Sequence, residues 1–73
     1  MPRLILTFET MFQVMSADKM LRDKFQIRPT PTPPGLSQSI CGVSLEILNH
    51  SDKEAILEKL SGHGLIPSGV HEV

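Results

Sequence analysis

An α+β fold, a ferredoxin-like βαββαβ two-layer sandwich with an antiparallel sheet, is what this 73-residue sequence predicts. Three observations carry the expectation. Strand-like and helix-like stretches follow one another as strand, helix, strand, strand, helix, strand; no motif repeats between the halves; and residues 1–73 suffice for a single domain with a thin core. Right-handed crossovers would lay both helices on one sheet face. The other face is left open, which points to a homodimer or another partner there.

Each element has a local reason. Residues 4–9, Leu-Ile-Leu-Thr-Phe-Glu, are β-prone and read as the first strand. Thr10 and Gln13 have the spacing of a capping box, and Val14, Ala17 and Leu21 recur at helical intervals opposite Asp18, Lys19, Arg22 and Asp23. An amphipathic helix therefore runs from Thr10 to near Lys24, with Met11, Met15 and Met20 as gap-filling core and margin residues. Phe25 and Ile27 alternate with Gln26 and Arg28 as a short second strand that stops at Pro29.

Residues 29–40 form a rigid Pro/Ser-rich loop leading to Cys41-Gly42, because each proline removes a donor and biases its predecessor away from helix. Val43 to Leu48 alternate with Ser44 and Glu46 as a third strand. Ser51 and Glu54 have capping-box spacing, Ile56, Leu57 and Leu60 make an apolar face, and Gly62 or Gly64 supplies a left-handed stop, so a second helix spans 52–61. A last strand runs through Val70 to Val73.

Composition narrows the function classes. Seven Lys and Arg against eight Asp and Glu leave no basic excess for phosphate backbones, and three Phe with no Trp or Tyr leave few rings for stacked bases. Nucleic acid is not the expected partner. The longest opening apolar run, Leu4 to Leu6, is too short for a signal or membrane helix, and one cysteine makes no internal disulfide, so a cytoplasmic protein is expected. His50, His63 and His71 have no metal-ligand spacing with Cys41, and no metal or cofactor is expected. His50 would lie about 25 to 30 Å from Cys41 at the opposite end of an extended strand. His63 reads as a helix-terminal cation.

Cys41 is the one residue whose chemistry stands out. A free thiol is most often a small core hydrophobe, yet the polar, Pro-rich approach and the following Gly42 argue for an exposed loop-to-strand junction. A lone cysteine can hold sulfane sulfur that a Cys-x-x-Cys pair would discharge as a disulfide. In the expected layout the start of the first helix and Arg28, at the end of the second strand, share its end of the molecule, where a dipole and a cation favour thiolate. Ser37 and Ser39 add hydroxyl donors, and Gly42 allows close approach or a left-handed turn.

The run Arg28-Pro29-Thr30-Pro31 through Ser37-Gln38-Ser39-Ile40-Cys41-Gly42, the helical Ala17-Asp18-Lys19 and the opening Thr7-Phe8-Glu9-Thr10 together resemble the small selenium/sulfur carrier-like proteins. That resemblance spans nearly the whole chain. It implies a non-catalytic carrier that holds sulfur or selenium on Cys41 as a persulfide or selenopersulfide. A cysteine desulfurase would be the donor, and a selenophosphate-forming or thiolation enzyme the acceptor. The alternative is a small ferredoxin-like interaction or regulatory module without cysteine chemistry.

Overall fold

The computed structural model describes residues 2–36 and 41–73. Four strands, β1 (Leu4–Thr7), β2 (Ile27–Pro31), β3 (Val43–Ile47) and β4 (Gly69–Glu72), and two helices, α1 (Met11–Leu21) and α2 (Lys53–Gly62), follow the expected succession. The strands form one sheet in the order β2-β3-β1-β4, and every neighbouring pair is antiparallel. Consequently β1 and β2 run parallel to each other with β3 between them.

The capping box that opens α1 is present. The Gln13 N–H donates to Thr10 Oγ1 at 3.2 Å, and Gln13 Oε1 accepts from the Thr10 N–H at 3.2 Å. The expected box at Ser51 and Glu54 does not form. Asn49 Oδ1 instead accepts from the Ser51 N–H at 3.2 Å and from its hydroxyl at 2.7 Å, folding His50–Asp52 into a 3-10 turn. The asparagine takes the Ser51 N–H that the Glu54 side chain would have accepted, and turns the Ser51 hydroxyl toward itself. Asp52 therefore caps α2 without a side-chain hydrogen bond.

At its other end α2 closes in a Schellman motif on Gly64 (φ +75°). The Leu65 N–H donates to the Leu60 carbonyl at 2.9 Å and the Gly64 N–H to that of Ser61 at 3.0 Å, while Leu65 packs on the core that holds Leu60.

β2 does not stop before the prolines; it continues to Pro31. The Leu48 N–H donates to the Gln26 carbonyl and the Thr32 N–H to that of Gly42, so even-numbered positions of this segment bond to β3. Pro29 and Pro31 fall at the odd positions, where the backbone nitrogen points out of the sheet edge and no donor is lost.

Residues that face each other across the register share a side of the sheet. One side presents Leu4, Leu6, Leu45 and Ile47 to Val14, Ala17 and Leu21 of α1 and Ile56 and Leu60 of α2, with Phe8 closing the cluster. The other side is polar. There Glu46 accepts from Arg3 through both carboxylate oxygens (3.0 and 3.3 Å) and from Arg28 Nε at 3.1 Å, and Arg3 Nη2 also donates to Thr30 at 3.0 Å. The Arg3 hydrogen bond holds the Glu46 carboxyl below its ordinary range; burial opposes this, and Arg28 adds to it. Thr7, Ser44 and Ile5 are buried on this face without a helix above them.

Candidate functional site

Cys41 enters β3 from the side where β1 ends. Its N–H donates to the Phe8 carbonyl oxygen at 3.3 Å, two residues ahead of Thr10, the N-cap of α1. The start of α1 and the cysteine therefore share one end of the sheet, as the strand directions required. The Thr32 side chain fixes the same stretch from β2: its hydroxyl donates to the Cys41 carbonyl at 3.0 Å and lies 2.6 Å from the Ser44 hydroxyl, while its N–H donates to the Gly42 carbonyl at 2.9 Å.

The thiol itself is half-buried. Its body packs against the core cluster, and Sγ sits on the backbone of Val43, donating to that carbonyl at 3.1 Å and accepting from that N–H at 3.4 Å. A thiol uses both contacts; a sulfur anion keeps the N–H alone, since it has no proton to donate. Both sequence-based expectations for Cys41 thus describe part of its position: one flank joins the core, and the rest lies at the loop-to-strand junction.

Other candidate residues separate from it. Arg28 is paired with Glu46 in register and in hydrogen bonding, five positions along β3 from Cys41, or about 16 Å at strand spacing. Its guanidinium serves the polar sheet face, because β2 runs on beyond it to Pro31. Gly42 is exposed, and a Cβ there would meet nothing within 4 Å. Positive φ occurs at Gly35 and Gly64, so Gly42 provides no left-handed turn. Ser37 and Ser39 lie outside the described residues.

His63 is the C-cap residue of α2, and its Nδ1 lies 3.0 Å from the Lys59 carbonyl oxygen, a helix-terminal contact as expected. His50 opens the 3-10 turn beyond the far end of β3. Among the described residues no group of three or more His, Cys, Asp or Glu is placed to hold a metal ion, and no helix is long and apolar enough to cross a membrane.

Two features escaped the sequence reading. Thr32 sits between Pro31 and Pro33, and only its bonding position in the extended β2 pairing reveals that it braces Cys41. Met11 and Met15 are not core residues: they are 48% and 64% exposed, beside Phe12 at 77%. Met20 does pack against the core. The signal was available in the helical angles, since Phe12 and Met15 are turned roughly 200° and 100° from Val14.

A family model described as "Putative Se/S carrier protein-like" matches residues 3–72. No curated protein and no solved structure gives a significant match.

Proposed function

The chain belongs to the Se/S carrier protein-like family, and from that membership we propose that it carries sulfane sulfur or selenium on Cys41. The observation that carries the reading is the family match over nearly the whole chain together with a single cysteine, half-buried at a loop-to-strand junction. The order β2-β3-β1-β4 with two intervening helices supports a ferredoxin-like sandwich as its scaffold.

Loading is a sulfur transfer between thiols. The Cys41 thiolate attacks the outer sulfur of a cysteine persulfide on a donor enzyme, a new S–S bond forms at Sγ, and the donor's S–S bond breaks. The donor cysteine leaves with the electron pair as a thiolate and takes up a proton, matching the one Cys41 released. No outside oxidant is consumed, and attack by an acceptor reverses the sequence. The selenium version places selenium at the outer position.

In this reading the protein is no catalyst; it is the substrate of a desulfurase and of a selenium- or sulfur-using enzyme. Having one cysteine supports storage, because no second thiol of the chain can displace the cargo as a disulfide. A reducing cytoplasm suits such a thiol. Mass spectrometry after incubation with a cysteine desulfurase and cysteine tests the proposal: wild type gains sulfur and Cys41→Ser does not. Wild type that stays unmodified while glutathione in the same mixture is persulfidated overturns it.

A further inference from the structure

The solvent face of α1 is divided. Phe12 and Met15 occupy its first half and Lys19 and Arg22 its second, at spacings of three and four residues, so all four lie along one stripe and line one shallow groove. Asp18 also lines this groove and is ion-paired with Arg22. Lys19 is left as the groove's uncompensated charge among the described residues. An apolar end and a positive end therefore face solvent side by side.

Location and size say what fits there. Phe12 is four residues beyond Phe8, hence within about 14 Å of it, and the Phe8 carbonyl oxygen lies 3.3 Å from the Cys41 nitrogen. A docking footprint of roughly 800 Å² is about 30 Å across, wide enough for one partner to reach both Phe12 and Cys41. Met11, Phe12 and Met15, at 48%, 77% and 64% exposure, present together roughly 400 Å² of side chain. That is about half of a standard footprint and far below what obligate dimers bury. The area suits a transient partner that completes its contact at the Cys41 end.

We infer that the Phe12-Met15-Lys19 stripe docks the protein that delivers cysteine persulfide to Cys41, and that this donor presents an apolar socket with a carboxylate beside it for Lys19. The inference rests on the carrier reading. Because Phe12 points into solvent, its removal leaves the folded core intact.

The test compares two routes to the same product, read as added sulfur on Cys41. One route is a pyridoxal-phosphate cysteine desulfurase with L-cysteine; the other is sodium polysulfide, which needs no docking. Phe12→Ser should slow the enzymatic route at least tenfold and Lys19→Glu several-fold, with the polysulfide route unchanged in both. Equal enzymatic rates in wild type and Phe12→Ser overturn the inference, as does polysulfide loading with no enzymatic loading of wild type. No sulfur on wild type by either route defeats the carrier reading itself. A wild-type chain that sediments as a dimer while Phe12→Ser sediments as a monomer assigns the stripe to a second copy and overturns the donor assignment.

Discussion

The N–H of Cys41 donates to the carbonyl oxygen of Phe8 at 3.3 Å, tying the cysteine to the fully buried residue that leads into α1. This contact brings together residues 33 positions apart in the sequence. It makes the placement of the cysteine depend on the packing of Phe8 as well as on the brace from Thr32.

Truncating Phe8 should therefore damage stability and thiol placement together. Phe8→Ala removes a fully buried ring and should cost about 3 to 5 kcal/mol, a large part of the stability of a chain this small. Denaturant unfolding measures the loss, and alkylation of Cys41 under native conditions should accelerate. Unchanged alkylation in a folded Phe8→Ala protein would separate the thiol from its anchor.

The polar sheet face makes stability depend on pH with a definite sign. Glu46 has a folded pKa below its ordinary value of 4.5, so its contribution is complete above that value and is lost as pH falls through the lower folded value. Glu46→Gln should lower the melting temperature at pH 7 by roughly 5 °C and flatten the acid limb of the stability curve. A variant with the wild-type acid limb would remove Glu46 as its source.

Pro29 and Pro31 remove two donors from the outer edge of β2, where the Ile27 N–H is the one left within the strand. Replacing both with threonine leaves every bond to β3 in place and adds two outward N–H groups to the sheet edge. Little change in unfolding midpoint is expected, with concentration-dependent association by light scattering. A variant that stays as monodisperse as wild type would show that the prolines do not guard this edge.

Two glycines should respond differently to alanine. Gly64, at φ +75°, should cost about 1 kcal/mol because a Cβ strains the left-handed turn that ends α2. Gly42→Ala adds a Cβ in open space and should leave the thermal midpoint unchanged. If it nevertheless slows enzymatic loading of Cys41, close approach of a partner backbone is its reason for being glycine.

What was legible in the sequence was mostly local. The cap at Thr10 and Gln13 and the glycine stop of α2 depend on residues within a few positions; the cap forms as the spacing indicates, and the stop falls on Gly64, one of the two glycines that the spacing offers. Even here a nearer competitor decides: Asn49 accepts the Ser51 N–H that the Glu54 side chain would have taken. Within the proline run, Pro29 and Pro31 are extended as expected but lie inside the sheet, because odd spacing makes proline harmless once the strand has an empty side, whereas Pro34 and Gly35 form a turn.

By itself, then, the sequence determined the succession of strands and helices, the apolar rows that meet in the core and the presence of one thiol without a partner thiol. Those follow from periodicity and composition, which need no distant contact. Tertiary structure alone decided that Arg28 serves Glu46 from 18 positions away, that Arg3 joins them from 43 away, that Cys41 is half-buried, and that Phe12 faces solvent. Register and burial arise when the sheet closes, since a side chain's neighbours across strands are set by pairing between segments far apart in the chain.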